Sequence, residues 1–185
     1  MQQLLHRIQI DNDENAFKEF YKENVFRLFQ FAFAFVRNKE LSEEIVNDVF
    51  LKLWQHRSKI CDIKNISVYL YVCVKNTALN YLRKNNLNKN IDIDDLSASH
   101  FYLSPDQEQI LITDELKKLI EQSINQLPPK CKLIFKMVKE DGLSSQEVAT
   151  ILGVSYKTVT TQLSIALKKL EQLLQPSLKE YFVKA

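Results

Sequence analysis

Gly142–Leu170, GLSSQEVATILGVSYKTVTTQLSIALKKL, is the stretch on which the fold class turns. Ser144 stands three residues before Glu147, the spacing at which a hydroxyl and a carboxylate satisfy the free amides of a helix start reciprocally. Val148, Ala149, Ile151 and Leu152 give the short helix one apolar side, and Ala149 is small enough for a second helix to cross closely. Gly153 falls where a tight turn needs a positive φ. Ser155 is placed to cap the next helix, along which Val159, Leu163, Ala166 and Leu170 recur at helical spacing. The opposite face carries Lys157, Thr160, Thr161, Ser164 and Lys168, a polar and basic stripe suited to a DNA groove. The segment spells a helix-turn-helix.

The rest of the chain reads as helical too. Its 185 residues are 45% hydrophobic, enough for a core, while two glycines and four prolines supply little of the turn chemistry that a β fold needs. The expected class is all-α: two small helical domains joined by a flexible acidic linker, the second containing the helix-turn-helix.

In the first domain, Phe17, Phe20, Tyr21, Val25, Leu28, Phe29, Ala32 and Phe33 form a broad apolar face running to Val36, and Arg37-Asn38 ends that helix. Ser42 with Glu43 and Glu44 opens the next, where the carboxylates favour an N-terminus. There Ile45, Val46, Val49, Phe50, Leu53 and Trp54 face inward, and Glu44, Asp48, Lys52 and Gln55 form a solvated stripe. After about ten residues, Ser67 caps a third helix reaching about Asn85. Periodicity fails from Asn85 to about Gln107, through IDIDDL and Ser104-Pro105, which marks a tether of roughly 20 residues. A second unit begins near Glu108, with Leu111, Leu116, Leu119 and Ile120 inward. Pro128-Pro129 breaks it before Leu133, Ile134, Met137 and Val138.

Net charge is only +2, but its distribution is uneven. Residues 70–90 carry Lys75, Arg83, Lys84 and Lys89 with no acid, residues 91–126 sum to −6, and residues 127–185 to +4. Two basic segments flank an acidic one. On the third helix, Tyr69, Cys73, Asn76, Asn80 and Arg83 share a side, with Val68, Tyr71, Val72, Lys75 and Leu79 along another. Amides there suit base edges, Arg83 and Lys84 suit phosphates, and Tyr69, Tyr71 and Tyr81 offer stacking faces to unpaired bases.

Cys61, Cys73 and Cys131 are odd in number and widely spaced, so buried free thiols are expected rather than a disulfide framework or a zinc site. His6, His56 and His100 are scattered, and HExxH, GxSxG and a phosphate-cradling glycine loop are missing, so neither catalysis nor a cofactor nor a metal is expected. Asp11, Asp13 and Glu14 follow a weakly apolar start too closely for a secretory leader, and FAFAFV (31–36) is too short to span a bilayer, which points to a soluble cytoplasmic chain.

EIVNDVFLKLW, SVYLYVCVKNTALNYLRK, LPPKCKLIFKM and the helix-turn-helix, taken in this order and spacing from about Ala16 to Leu174, resemble the blocks of extracytoplasmic-function (ECF) sigma factors. The resemblance implies a non-enzymatic specificity subunit of bacterial RNA polymerase. Residues 1–86 would be its region-two domain, 87–107 the linker and 108–185 the region-four domain. It implies that Glu44, Asp48, Lys52 and Gln55 meet the polymerase core. It further implies that Asn76, Asn80, Arg83 and Lys84, with Lys64 and Asn65 of the preceding loop, hold the melted minus-ten strand of promoter DNA. Ser155, Lys157, Thr158, Thr160, Thr161 and Lys168 would address the minus-thirty-five duplex. Thr160-Thr161, Ile165 and Lys168-Lys169 depart from the residues many relatives carry there, so no base preference is implied; lysine lacks the bidentate fork of arginine. An anti-sigma partner, which in the family commonly holds the sigma factor at the inner membrane, is implied as well. The rival reading is a stand-alone helix-turn-helix regulator that binds duplex DNA without polymerase.

Overall fold

The computed structural model describes residues 1–84 and 114–184, with side chains placed within 1–84 and 118–175. The tether and the start of the second unit near Glu108, Leu111 included, lie outside the described residues, as does the side chain of Leu116. Among the described residues every regular element is helical. The chain divides into two compact units, Met1–Ile91 and Asp92–Ala185.

The first unit holds α1 (Gln2–Ile10), α2 (Glu14–Val36), α3 (Lys39–Gln55), a short 3-10 helix (Arg57–Asp62) and α4 (Ile66–Lys84). Its centre is where α2, α3 and α4 pack on one another. Phe20 and Tyr21 set their rings edge-on to Phe50 of α3, with centroids 6.1 and 4.7 Å away. Phe31 meets Tyr71 of α4 edge-on at 4.8 Å. Such pairs each add about 0.5–1.5 kcal/mol to the area they bury. The buried side of α2 is Ala16, Phe20, Leu28, Phe31, Ala32, Ala34 and Phe35. Phe29 and Phe33, expected inward, stack on each other half-buried. In a phenylalanine-rich helix apolar residues occupy more than one side, so composition alone leaves the core direction open.

Two helix starts differ from expectation. α3 begins at Lys39 because the Asn38 side chain accepts from the Leu41 amide; Ser42 is buried and donates its hydroxyl back to the Asn38 carbonyl at 2.6 Å. α4 begins at Ile66, where Asn65 rather than Ser67 accepts from the Val68 amide. Asparagine competes as a cap in both places, one turn or less upstream of the serine. Helix α1 and the 3-10 helix were not foreseen. Leu4, Leu5 and Ile8 of α1 and Ile60 of the 3-10 helix are buried where the two pack together.

The second unit holds α5 (Asp114–Asn125), α6 (Pro129–Lys139), α7 (Ser145–Leu152) and α8 (Tyr156–Lys184). Pro129 opens α6, a position where its missing amide costs nothing. Leu133, Ile134, Met137, Val148, Ile151 and Val159 are among the buried residues, and Ile124, Leu127, Cys131, Ala166 and Leu170 form one apolar cluster. Lys132 and Lys136 are buried as well. Lys132 donates to Asn125 at 3.3 Å, and Lys136 pairs with Glu140 at 3.1 Å. Burial outweighs that pairing and pushes the Glu140 carboxyl up from its ordinary value.

Candidate nucleic-acid interface

The helix-turn-helix is built by local chemistry. The Ser144 hydroxyl accepts from the Glu147 amide at 3.3 Å, and the Glu147 carboxylate accepts from the Ser144 amide at 2.8 Å, closing the expected box. Gly153 takes φ 74° and its amide bonds the Ala149 carbonyl, ending α7 in the left-handed conformation that glycine adopts without strain. Val154 donates to the same carbonyl at 3.1 Å. Two residues later the Ser155 hydroxyl accepts from the Thr158 amide at 3.0 Å and starts α8. Val159 and Ala166 are fully buried, so the opposite face of α8 must look outward.

On that face Lys157, Thr161, Ser164 and Lys168 are exposed, at successive steps of four, three and four residues. Ser155 and Thr158 are engaged with each other, their hydroxyl oxygens 2.8 Å apart. Thr160 is half-buried and donates back to the carbonyls of Tyr156 and Lys157. The free polar groups are therefore fewer than the sequence suggested. Tyr156, 54% exposed at the first turn of α8, and Ile165, 45% exposed, flank the stripe. Tyr156 escaped notice because a lone aromatic among polar residues carries no periodic signal.

In the first unit, Ile66, Leu70, Tyr71, Val74, Ala78 and Leu82 make the buried side of α4. Of the side Val68, Tyr71, Val72, Lys75 and Leu79, only Tyr71 is buried and the rest are half-buried. Partial burial pushes the Lys75 ammonium below its ordinary value. Tyr71 is thus withdrawn from any stacking role: it is fully buried against Phe31, with the Arg27 guanidinium 6.0 Å from its ring. Tyr69 and Tyr81 remain exposed, as do Asn76, Asn80, Arg83 and Lys84. Arg83 reaches Asn80 at 3.4 Å, which brings a cation and an amide together at the end of the helix. Burial, then the Cys73 thiol one turn on, raises the Tyr69 hydroxyl from its ordinary value, so the ring stays neutral near pH 7. Lys64 is exposed in the preceding loop, and Asn65 spends its side-chain oxygen on the cap of α4.

Glu44, Asp48, Lys52 and Gln55 are all exposed on α3, and Leu51, 55% exposed, sits among them. Leu51 was not expected there, although its spacing, three residues after Asp48 and seven after Glu44, puts it on the same side of the helix. Cys61 is exposed and Cys73 half-buried, so only Cys131 meets the expectation of a buried thiol. The described residues contain no cluster of potential metal ligands and no helix long and apolar enough to cross a membrane.

Residues 20–88 match the family described as Sigma-70 region 2, and residues 117–170 match Sigma-70, region 4. The chain is 24% identical over 188 residues to the RNA polymerase sigma-H factor of Pseudomonas aeruginosa, covering 97% of this chain and 96% of the relative. It is 22% identical over 185 residues to the ECF RNA polymerase sigma-E factor of Escherichia coli K12, covering 96% of each. Two solved structures share the fold. One is CnrH in complex with the cytosolic domain of CnrY, with a TM-score of 0.52 at 18% identity over 95% of this chain and 97% of that one. The other is the sigma factor RpoE in complex with the anti-sigma factor NepR from Bartonella quintana, with a TM-score of 0.50 at 20% identity over 85% of this chain and 98% of that one. With both regions matched in order along most of its length, the chain belongs to the extracytoplasmic-function group of sigma-70 family sigma factors.

Proposed function

We propose that this protein binds RNA polymerase core and directs it to promoters whose minus-ten and minus-thirty-five elements it recognises. The observation that carries this reading is the presence of Sigma-70 regions 2 and 4 on one chain, each with an outward polar helix face. Residues 1–86 form the unit that meets core and the melted strand, 87–107 the linker, and 108–185 the unit that meets upstream duplex. On α3, Glu44, Asp48, Lys52 and Gln55 contact core, with Leu51 as the apolar centre of that patch. Asn76, Asn80, Arg83 and Lys84 of α4, with Lys64 and Asn65, hold the opened strand, while Tyr69 and Tyr81 lend it stacking surfaces. Opening needs no bond chemistry, because preferential binding of the open state shifts the equilibrium toward it. On α8, Lys157, Thr161 and Lys168 face the major groove and backbone; Ser155, Thr158 and Thr160 hold the helix start and turn that aim them. The working place is the cytoplasm, with an anti-sigma protein as the regulating partner. Such a partner, the anti-sigma factor NepR, sits on the sigma factor RpoE of Bartonella quintana, whose fold this chain shares.

Core and chain together should shift a promoter fragment in an electrophoretic assay where neither does alone. Tight, specific duplex binding by the chain without core would instead support a stand-alone regulator. Asp48→Arg, which reverses a charge in the middle of the exposed α3 stripe, should weaken core binding and leave thermal stability unchanged.

A further inference from the structure

We propose that α1 and the turn after it are a positioning element for the loop Ile63–Asn65, with Gln9 as its principal positioning residue. This rests on the reading above that the loop and α4 hold the melted strand. The region-2 match begins at residue 20, so α1 lies outside it. Yet the polar side chains of this segment reach across some fifty residues of sequence to the element that precedes α4. The Gln9 side-chain oxygen accepts from the Cys61 amide at 2.9 Å, near the end of the 3-10 helix. Asn12, at φ 51°, accepts from Arg57 Nε at 2.7 Å, at the start of the same helix. Arg57 is then fixed a second way, donating to the Trp54 carbonyl at 3.0 Å with its guanidinium 4.4 Å from the Trp54 ring.

Short 3-10 turns have poor internal hydrogen-bond geometry and hold their shape by outside contacts. Here those contacts are Ile60, fully buried, and the two ties to α1 and its turn. Beyond Cys61 only Asp62, Ile63 and Lys64 precede Asn65, which is itself fixed as the cap of α4. A link this short between two fixed points has little freedom, at most about 3.6 Å of reach per residue. Its one exposed cation, Lys64, is therefore aimed from both ends. Releasing the Cys61 amide frees one end while leaving the core of the unit and the α3 stripe untouched.

The test uses core polymerase reassembled with the full chain and a fluorescent single-stranded oligonucleotide. The oligonucleotide carries the non-template minus-ten strand of a promoter found by transcript mapping. Gln9→Ala should weaken strand binding on the order of threefold to tenfold, the scale of one hydrogen bond, at unchanged core affinity and thermal midpoint. Gln9→Glu, whose carboxylate accepts from the same amide, should restore it. Asn12→Gly, which keeps the positive φ and removes the acceptor, should fall in the same direction. If the wild-type assembly binds the strand and Gln9→Ala and Asn12→Gly both match it, the positioning role is wrong and the functional reading stands. A parallel loss of core affinity, strand affinity and thermal midpoint would show a merely structural role and also overturn the proposal. Failure of the wild-type assembly to bind the strand would instead refute the functional reading, and this inference with it.

Discussion

The two units differ in how far apart in sequence the residues lie that position their candidate DNA-facing groups. In the second, neighbours in sequence do it: Ser144 with Glu147, Gly153 with Ala149, Ser155 with Thr158. In the first, local caps at Asn38 and Asn65 are supplemented by bonds between distant residues: Gln9 with Cys61, Asn12 with Arg57, Tyr21 with Asn47, Arg27 with Ser67. A helix aimed by its own caps and turn presents one rigid face, which suits a duplex of fixed groove geometry. A helix aimed by cross-links between elements can combine loop, amide, cation and ring around a strand of no fixed shape. The contrast matches the two kinds of DNA the halves are proposed to hold.

Tyr71 and Tyr69, two residues apart on α4, should respond most differently to substitution. Tyr71→Ala removes a fully buried ring and should cost about 3–5 kcal/mol in urea unfolding of the first unit. Tyr69→Ala should leave stability within about 0.5 kcal/mol of wild type. It should weaken melted-strand binding by about 1–3 kcal/mol, with upstream duplex binding unaffected. Equal effects of the two substitutions on stability would mean that α4 does not divide into a buried and an outward side.

Local capping in the second unit is tested by Ser144→Ala, expected to cost about 1 kcal/mol in that unit's unfolding and to leave the first unit unchanged. Lys157→Ala should weaken duplex promoter binding and flatten the salt dependence by about 0.9 in the log–log slope, while strand binding holds. A uniform loss on strand and duplex would contradict the division of labour.

The same contrast explains what the sequence disclosed. Caps, turn and buried stripe of the helix-turn-helix lie within three or four residues of one another, so spacing alone found them. The polar side of α4 was found by the same rule, since Asn76, Asn80 and Arg83 are successive helical neighbours. The core side was not, because Tyr71 is chosen by Phe31 of another helix and tyrosine suits either environment. The starts of α3 and α4 were missed where asparagine took the cap from a nearby serine. Helix α1 was missed because its three buried residues, Leu4, Leu5 and Ile8, make a stripe too short to stand out until the 3-10 helix supplies its partner.

The smallest expected effect concerns the joint between α1 and α2. The Ala16 amide and the Arg7 guanidinium hold the Asp13 carboxyl below its ordinary value of 3.8. A carboxyl lowered in this way adds stability that is complete above its unfolded value and is lost as pH falls through the folded one. Asp13→Asn keeps a capping oxygen and loses the charge. Wild type should therefore melt slightly higher at neutral pH, and the gap should close below about pH 4. A gap that persists in acid would place the effect in packing rather than in the charged contact.

Both halves are proposed to act together as one initiation subunit on polymerase. Transcript mapping with purified core and a genomic template library, with and without this protein, decides the matter. Start sites should appear only with the protein and share two upstream elements at constant spacing, and they should be lost when either Arg83 with Lys84 or Lys157 with Thr161 is replaced by alanine. Transcripts indifferent to the protein, or dependent on the second unit alone, would contradict the proposal.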